Sequence, residues 1–401
     1  MELRGRVRPD RCPGVLAVHE AADGGLARVR LPGGVLSAEQ LRLLAAAAVE
    51  LGDGHLELTS RANVQIRALQ PGAPVELSDR LYAAGLLPSI SHERVRNVLA
   101  SPLSGLDQHS RYDVLPVAGE VDRLLCARPG LAGLPGRFLF ALDDGRGDLA
   151  SAKADVGLRM VDGERGELLL AGVATGVLVA VEQAAEVMVA AAEAFLAERA
   201  EQQSEAWRLA ELTAGPKRVL ARLRLGEQPT GRLGEQTGRG LAAGRLTDLV
   251  GAEVLVVTVP LGVLDAEQAA VLAEVAEQAD TQQRPVLRVT PWRSVVVAGV
   301  VEGAVRRLEA VGLVLEPSSP WNGVTSCAGR PGCAKALADV RGDARRVVPG
   351  WSAASGRRVH WAGCERRCGR PGGEFVDVLA LAGGGYSVDG VVMEVDEVRA
   401  Q

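Results

Sequence analysis

Aromatic side chains are scarce in this sequence: they make up 3% of its 401 residues, so its hydrophobic cores must be built from aliphatic side chains. The sequence also lacks an excess of positive charge. Its formal net charge is −5 and its isoelectric point is near 5.7, which argues against a general nucleic-acid-binding protein, since such proteins are normally basic. An anionic ligand would therefore have to be held by a local group of arginines.

Long apolar runs are absent as well. The longest uncharged apolar run, residues 168–181, has 14 residues and is shorter than the roughly 20 residues that a bilayer-spanning helix needs. We expect it to form a strand and turn that lead into the alanine-rich helix after it. The N-terminus shows no export signal. We therefore expect a cytoplasmic protein without membrane contact, in a reducing compartment where its six cysteines do not form structural disulfides.

Two cofactor signatures are also missing. No G-x-G-x-x-G follows a predicted strand with an acidic residue behind it, so nothing indicates a built-in NAD or FAD site. The five histidines show no spacing typical of metal ligands. We therefore expect the electrons for any redox reaction to come from an external reductase or ferredoxin.

What the sequence does contain is an internal duplication. Residues 31–40, LPGGVLSAEQ, and residues 259–268, VPLGVLDAEQ, are identical at seven of ten positions. Each copy follows a strand-like run and precedes a helix pattern that begins after Ser37 or Asp265, both good N-cap residues, and each helix leads into another strand. The pattern predicts a β–α–β unit of about 60 residues that occurs twice and pairs into one pseudo-symmetric domain, with chance similarity as the alternative.

The strand pattern at 56–69, LELTSRANVQIRAL, has an unusual polar face. Read as one strand, it alternates apolar residues with Glu57, Thr59, Arg61, Asn63, Gln65 and Arg67. Most of this face can donate hydrogen bonds, which suits carboxylates because arginine holds them in a fork. We therefore take Arg61 and Asn63 as candidate anion-binding residues. Arg96 and Asn97, in a loop, and Arg137 are further candidates, although a lone surface arginine is most often a solvated charge.

Four cysteines near the carboxy end form the strongest chemical signal. Cys327 and Cys333 are spaced C-x5-C, Cys364 and Cys368 are spaced C-x3-C, and glycines and prolines crowd both stretches. Four thiolates are the usual ligands of an iron–sulfur cluster. A helix pattern begins directly after Cys333, so we expect a helix N-terminus to face the negative charge of the cluster. A structural zinc site, which prefers other spacings, and unliganded thiols are the alternatives. The two remaining cysteines lie alone and are expected not to be ligands.

Together these residues resemble the sirohaem-dependent nitrite and sulfite reductase superfamily, over nearly the full chain. The cluster motif of that superfamily, C-x5-C followed by C-x3-C, matches the four cysteines, which the resemblance makes ligands of a 4Fe-4S cluster. Its T-x-R-x-N/Q motif matches TSRAN at Arg61 and Asn63, and its R-N motif matches Arg96 and Asn97. The resemblance implies that these residues and Arg137 bind the carboxylates of a tetrapyrrole or the substrate anion.

The resemblance also implies a fold. We expect an α+β protein in which duplicated ferredoxin-like half-domains form one pseudo-symmetric domain, accompanied by two α/β domains of the nitrite/sulfite reductase type. The expected boundaries are residues 1–75 for the first half-domain, 76–225 for the tetrapyrrole-binding α/β domain, 226–246 for a flexible linker, 247–315 for the second half-domain and 316–401 for the iron–sulfur cluster domain.

One departure from the superfamily pattern indicates a branch. Its reductases carry L-P-[RK]-K-F-K, whose two lysines hold and protonate a small anion, whereas the matching LPGRFLF has Arg137 and Leu139. This stretch, RCPG near the N-terminus and TPWRSVVV in the second copy resemble the precorrin-3B synthase branch, which acts in aerobic cobalamin biosynthesis. That resemblance implies a monooxygenase that uses dioxygen to hydroxylate precorrin-3A and close a γ-lactone.

The same resemblance sets the expected cofactors and partners. It implies a 4Fe-4S cluster and leaves room for a mononuclear non-haem iron, whose ligands, like the catalytic residues, the sequence does not identify. A sulfite or nitrite reductase that carries sirohaem is the alternative function, and a non-catalytic tetrapyrrole carrier is a third. The expected partners are a tetrapyrrole substrate, dioxygen and an electron donor, with no nucleic acid.

Overall fold

The computed structural model describes residues 10, 12–225, 241–249, 251–279, 287–351 and 357–399. The chain divides into two compact units. We call residues 16–28, 36–80 and 241–401 the cysteine unit, and residues 1–15, 29–35 and 81–240 the insert unit. Most of the predicted linker lies outside the described residues, and its last residues begin a strand at Gly244.

The described residues form four five-stranded sheets. Their strands are β1 (His19–Ala21), β2 (Gly24–Val29), β3 (Val35–Leu36), β4 (His55–Leu58), β5 (Val64–Leu69), β6 (Val98–Ala100), β7 (Phe140–Asp143), β8 (Val156–Met160), β9 (Arg165–Leu170), β10 (Val173–Ala180), β11 (Gly244–Thr247), β12 (Glu253–Thr258), β13 (Val263–Asp265), β14 (Leu287–Val289), β15 (Ser294–Val300), β16 (Val324–Ser326), β17 (Val359–Ala362), β18 (Val376–Ala380), β19 (Tyr386–Val388) and β20 (Val391–Met393). The helices are α1 (Ala38–Leu51), α2 (Ala73–Ala83), α3 (Leu115–Cys126), α4 (Val181–Glu201), α5 (Gly215–Leu223), α6 (Ala266–Gln278), α7 (Ala304–Ala310) and α8 (Val340–Val347). Within this described part, no helix has the length and apolar character needed to cross a membrane.

Two of the sheets are built by the duplicated segments, and each includes a strand from the other copy. The first has the order β1-β2-β5-β4-β13, and the second has the order β11-β12-β15-β14-β3. In the first, β13 pairs antiparallel with β4, so that Leu264 lies opposite Leu56. Helices α1 and α6, one from each copy, pack against each other. The predicted α+β class and the pseudo-symmetric pairing of the copies are confirmed.

The first helix of each copy begins where the sequence predicts. The Ser37 hydroxyl accepts a hydrogen bond from the backbone N–H of Gln40, whose side chain accepts from the Ser37 N–H in return. Asp265 and Gln268 form the same reciprocal pair at the start of α6. Such a cap contributes about 1 kcal/mol, so local sequence is sufficient to place both helix starts.

The prediction of one strand across residues 55–68 is wrong, because the segment folds as a hairpin. β4 and β5 pair antiparallel and are joined by a turn at residues 59–63. The backbone N–H of Thr59 donates to the carbonyl of Asn63 at 2.9 Å. The Thr59 hydroxyl accepts from the N–H groups of Arg61 and Asn63, and local bonds of this kind compete with an extended ladder. The alternation of polar and apolar residues continues across the turn and so concealed it.

The insert unit is built around one sheet of order β10-β9-β8-β7-β6. β9 and β10 form a hairpin that leads straight into α4, as predicted for the apolar run. The ring of Phe138 contacts those of Phe140 and Phe195 in the core between the sheet and helices α3 and α4. The rest of this core is aliphatic apart from two methionines, in agreement with the composition.

The last sheet has the order β16-β17-β18-β19-β20, and its strands lie before and after the two cysteine loops in the chain. β16, β17 and β18 are parallel neighbours, and β18, β19 and β20 are antiparallel. Trp361 is fully buried between Trp351 and Tyr386 in a core shared with α8. This packed sheet gives the cysteine loops a rigid base.

Candidate functional site

Parallel pairing brings the first cysteine of each pair to the same edge of the last sheet. Cys327 directly follows β16 and Cys364 lies two residues after β17, and these strands are parallel neighbours. The backbone N–H of Cys327 donates to the carbonyl of Trp361 at 2.9 Å, which extends the ladder by one residue. The N–H of Gly363 donates to the Cys327 sulfur at 3.2 Å. The sheet therefore positions two of the four predicted ligands.

The other two cysteines lie in the loops that follow. The N–H of Cys333 donates to the carbonyl of Gly329 at 2.8 Å, which closes the first loop into a turn. The N–H of Leu337 donates to the carbonyl of Gly363 at 2.7 Å, so this loop folds back against the second. Cys368 is exposed, and the other three cysteines are half-buried.

The four thiols lie near one another in one local site. Burial raises the pKa of Cys368, Arg366 lowers it, and the charges of Cys327, Cys333 and Cys364 raise it further, so all three act on Cys368. Four cysteines on neighbouring loops are a donor set that an iron–sulfur cluster uses, and a zinc ion can use the same set.

The prediction of a helix directly after Cys333 is wrong. α8 begins only at Val340, and the residues between them form turns. The carboxylate of Asp339 caps this helix by accepting from the N–H of Gly342 at 3.0 Å. A protein carboxylate thus occupies the helix N-terminus that was expected to face the cluster.

A buried arginine of the first copy holds the first cysteine loop. Arg67, on β5, donates from Nε and Nη2 to the carboxylate of Asp23 at 2.9 and 3.0 Å. Its Nη2 also donates to the backbone carbonyl of Gly332 at 2.6 Å. The side chain of Arg67 is only 7% exposed, so these bonds form away from water, where they are strong. They fix the residue that precedes Cys333.

A second arginine reaches the same loop through a glutamate of the hairpin. Glu57, on β4, lies 3.7 Å from Arg67 and accepts a hydrogen bond from Nη1 of Arg341 at 2.6 Å. Arg341 also donates from Nε to the carbonyl of Cys327 at 3.2 Å. We call Asp23, Arg67, Glu57 and Arg341 the ion-pair chain. Alternating charges thus connect the first half-domain to both ends of the C-x5-C loop.

The ion-pair chain explains much of the polar face that the sequence displays. Gln65 donates to Glu57 at 3.0 Å and accepts from Arg28 at 2.9 Å. Gln65 and Arg67, which follow the turn, therefore bind protein groups. The sequence did not identify them as residues that support the cysteine loops. The unbroken row of polar residues was the available signal for Glu57 and Arg67, whereas no sequence pattern marked Arg341.

The second copy contains the same turn and sends an arginine to the second cysteine loop. The N–H of Thr290 donates to the carbonyl of Ser294 at 2.9 Å, as in the first copy. Arg293 stands where the first copy has Ala62, and both residues have left-handed backbone, with φ of 61° and 53°. The Nη2 of Arg293 donates to the carbonyl of Gly369 at 2.9 Å, directly after Cys368.

His360, on β17, lies beside this second loop and is fully buried. Its Nδ1 lies 2.9 Å from the hydroxyl of Thr325 on the neighbouring strand. Burial lowers the pKa of His360 to about 3, the charge of Arg293 acts in the same direction, and the backbone of Cys368 opposes them. The imidazole is therefore neutral near pH 7. As a single histidine without metal-ligand spacing, it gave no signal in the sequence.

The turn of the first copy carries the two remaining candidates of the cysteine unit. Asn63 is buried and Arg61 is half-buried. Both belong to the same unit as the four cysteines. Because Arg61 lies in a turn and not on a strand, its guanidinium is not part of the row that holds Arg67.

The candidates at positions 96 and 97 lie in the insert unit, where they bind protein groups. Arg96 is 4% exposed and donates from Nε and Nη2 to Asp122, both at 2.7 Å, and from Nη1 to the carbonyl of Leu86 at 2.9 Å. All three of its nitrogens thus bind protein groups, and the predicted role of Arg96 in binding a ligand carboxylate stays a prediction. Asn97 is buried and donates to the carbonyl of Gly136 at 2.9 Å.

Arg137 is the exposed candidate of the insert unit. Its guanidinium carbon lies 5.2 Å from the centre of the Trp207 ring, a cation–π distance. The preceding residue, Gly136, is held by Asn97 and lies against Cys12 so closely that a Cβ at this glycine would come within 2.8 Å of the Cys12 Cβ. Asn97 and Cys12 therefore set the position of the loop that presents Arg137.

Three carboxylates of the insert unit, Asp143, Asp144 and Asp148, lie within 4.8 Å of one another. Asp143 accepts hydrogen bonds from three backbone N–H groups of its own loop. Arg146 pairs with Asp144 at 2.7 Å, and Ser101 donates to Asp148 at 2.7 Å. Each carboxylate has a protein partner, so the group stabilises the loop after β7 without requiring a metal ion.

This carboxylate group predicts a pH dependence of stability. Burial, and then the charge of Asp143, raise the pKa of Asp148 from 3.8 to about 7. Between these two pKa values the folded state keeps a proton that the unfolded state has released, so stability falls as pH rises. We expect Asp148→Asn to be more stable than wild type by on the order of 2 kcal/mol at about pH 8, and its urea midpoint to vary less between pH 5 and 8. An unchanged pH profile in the variant would contradict this assignment.

The two duplicated segments match a known family. Residues 19–84 and 251–311 each match the nitrite/sulfite reductase ferredoxin-like half domain. The solved structure of the Mycobacterium tuberculosis NirA protein aligns with a TM-score of 0.72 at 22% identity, and covers 90% of this chain and 72% of that chain. The fold prediction, including its ferredoxin-like half-domains, is therefore confirmed.

Similarity to characterised proteins extends over almost the whole chain. A precorrin-3B synthase from Sinorhizobium sp is 27% identical over 400 residues, which are 96% of this chain and 83% of that protein. A ferredoxin–nitrite reductase from Synechococcus elongatus is 26% identical over 406 residues, which are 92% of this chain and 78% of that protein. The two levels of identity are too close to separate these activities.

Proposed function

The chain belongs to the nitrite/sulfite reductase superfamily, and from this premise we propose that it is an oxidoreductase acting on a tetrapyrrole, and specifically a precorrin-3B synthase. The superfamily placement supports the first part of the proposal. The choice of branch depends on the residues of the LPGRFLF stretch, Arg137 and Leu139.

We propose that Cys327, Cys333, Cys364 and Cys368 hold a 4Fe-4S cluster. Their common site and the N–H donor aimed at Cys327 support this assignment. Such a cluster supplies single electrons when bound. The chain itself fixes the cysteine loops through the ion-pair chain, Arg293 and the last sheet, and an external reductase or ferredoxin provides the electrons.

Carboxylate recognition is assigned to three of the residues that the sequence predicts for it. These are Arg61, Asn63 and Arg137, because guanidinium and amide groups match carboxylate oxygens. Arg96 and Asn97 are positioning residues that hold Leu86 and Gly136.

The proposed reaction consumes one molecule of dioxygen, two electrons and two protons. One oxygen atom enters precorrin-3A as a hydroxyl at a meso carbon, and the other leaves as water. The carboxylate of an acetate arm then closes the γ-lactone without further oxidation. Arginines that hold the neighbouring arms would orient the macrocycle for this closure and thereby lower its entropic cost.

The observation that carries the choice of branch is the apolar character of position 139. A reductase of this superfamily needs a second lysine there to protonate and hold a small anion, whereas Leu139 is 3% exposed and packs into the protein. Arg137 is the cation that this stretch presents, stacked on Trp207. An arginine guanidinium can bind a carboxylate arm, but it does not readily release the protons that the reduction of a small anion consumes.

The assay for this function is direct. The anaerobically reconstituted protein is mixed with precorrin-3A, reduced ferredoxin and isotopically labelled dioxygen. We expect a product that carries one labelled oxygen atom and a lactone, detected by mass spectrometry. Turnover of ferredoxin without such a product would refute the proposed function.

A second candidate is a sirohaem-dependent nitrite or sulfite reductase, which the match to a ferredoxin–nitrite reductase over 92% of this chain favours. The visible spectrum of the purified protein separates the two, because sirohaem has strong bands and an iron–sulfur cluster gives a broad shoulder. Nitrite-dependent oxidation of reduced ferredoxin, together with sirohaem bands, would establish this alternative.

Arg61→Ala is expected to weaken the binding of precorrin-3A by about 10- to 100-fold, since a charged hydrogen-bond pair contributes roughly 1.5–3 kcal/mol. Binding is measured by anaerobic absorbance titration, which excludes turnover. Arg165→Ala is the control, because Arg165 is 52% exposed and pairs with Asp162 on the surface of the insert unit. Equal affinity of both variants and wild type would show that Arg61 does not contact the substrate.

A further inference from the structure

Arg293 occupies a position that ordinary packing does not explain. It lies in the turn of the second copy with left-handed backbone, which disfavours side chains larger than glycine. At the equivalent point the first copy has only Ala62. Strained residues of this kind persist where the surroundings impose them, often at functional sites.

Two glycines make room for this side chain. A Cβ at Gly262 would lie 2.5 Å from Cδ of Arg293, and a Cβ at Gly369 would lie 2.8 Å from its Nη2. Both glycines also have positive φ, of 71° and 80°. The backbone therefore leaves a passage that leads the guanidinium to the loop of Cys368.

The positive charge of Arg293 lacks a close negative partner in the described part of the chain. Its hydrogen bond goes to a neutral carbonyl, that of Gly369, and the nearby carboxylate of Glu57 pairs with Arg341 instead. Burial lowers the pKa of Arg293 to about 10, Glu57 acts against this from a distance, and Arg341 adds to it. Arg293 is only half-buried by its solvent exposure and is charged near pH 7, so a negative group close to it would stabilise this charge.

The neighbours of Arg293 indicate where that negative group lies. The buried His360 beside it is neutral and cannot supply negative charge. Cys368 is one residue from Gly369 and belongs to the four-thiol site. Four thiolates with their irons would carry net negative charge close to this guanidinium.

We propose that Arg293 is the counter-charge of the iron–sulfur site and positions Cys368 through the carbonyl of Gly369. The inference rests on the proposed cluster. The two copies then divide the cysteine loops between them, since Arg67 of the first copy holds the C-x5-C loop and Arg293 of the second holds the C-x3-C loop. A cation beside the cluster would favour its reduced, more negative state, since nearby charge tunes such potentials.

Two variants separate charge from shape. Arg293→Gln keeps hydrogen-bonding capacity and removes the charge, whereas Arg293→Lys keeps the charge. Redox titration followed by electron paramagnetic resonance measures the midpoint potential in full-length reconstituted protein. For the glutamine variant we expect a tenfold lower ratio of reduced to oxidised cluster at the wild-type midpoint, which corresponds to a negative shift of about 59 mV. The lysine variant should remain close to wild type.

The outcomes distinguish this inference from the proposed function. Arg357→Ala, which removes an exposed cation paired with Asp389, is the control and should keep the wild-type potential. If Arg293→Gln keeps the wild-type potential with full iron content, the proposed role of Arg293 is wrong. It is also wrong if Arg293→Lys shifts the potential as much as Arg293→Gln does. Neither result affects the cluster assignment. Absence of iron and sulfide from reconstituted wild type would instead remove the cluster assignment, and the inference with it.

Discussion

Cys364→Ser is expected to lower the iron content of the anaerobically reconstituted protein from about four atoms per chain to fewer than one. Cys364 lies two residues after β17, beside the sheet that positions the cysteine loops, and we expect no neighbouring residue to replace its sulfur. Serine keeps the size of the side chain and is a poor ligand for iron at neutral pH. The readouts are iron and acid-labile sulfide per chain, together with the broad visible absorption of the cluster.

Cys126→Ser is the matched control for this experiment. Cys126 is half-buried at the end of α3, and burial raises the pKa of its thiol to about 11, which keeps it protonated. It lies outside the four-thiol site, and the sequence already predicts that it is not a ligand. Full iron content in Cys364→Ser, or loss of iron in Cys126→Ser, would disprove the ligand set.

Arg67→Ala is expected to lower the free energy of unfolding by about 3–5 kcal/mol, because it leaves the buried carboxylates of Asp23 and Glu57 without their shared partner. Both carboxylates are at most 16% exposed. The change also frees the carbonyl of Gly332 beside Cys333. We therefore expect slower uptake of iron in addition to lower stability.

Tryptophan fluorescence during urea unfolding reports this effect, since Trp351 and Trp361 are buried in the cysteine unit. Arg123→Ala is the comparison, because Arg123 and Glu120 form an ion pair that lies open to solvent on α3. That variant should keep the wild-type midpoint. If both variants unfold at the same urea concentration, the ion-pair chain does not stabilise the cysteine unit.

Features that depend on short stretches of sequence could be predicted. The duplication placed two helices whose starts, after Ser37 and Asp265, agree with the structure to the residue. The hairpin at the apolar run 168–181 also agrees. In each case the signal and the structure involve residues only a few positions apart, so no knowledge of tertiary packing is needed.

Features that depend on distant partners could not be predicted. Arg96 and Arg67 look alike in sequence as possible anion-binding residues, but each finds a protein carboxylate, at Asp122 and Asp23. Arg341 and Glu57 are 284 positions apart. The turn at residues 59–63 was missed for another reason. Its polar residues continue the alternation of the strands on both sides, while the Thr59 hydroxyl and local backbone hydrogen bonds close the turn.

The pairing of β13 with β4 has a consequence for how this chain can be divided. The first copy supplies α1, β4 and β5, yet the strand that covers the outer edge of β4 comes from residues more than 200 positions later. A fragment that stops before β12 would expose an unprotected row of backbone donors and acceptors, which recruits other chains. The two copies therefore depend on each other, and we expect neither to be expressed alone without self-association through that open edge.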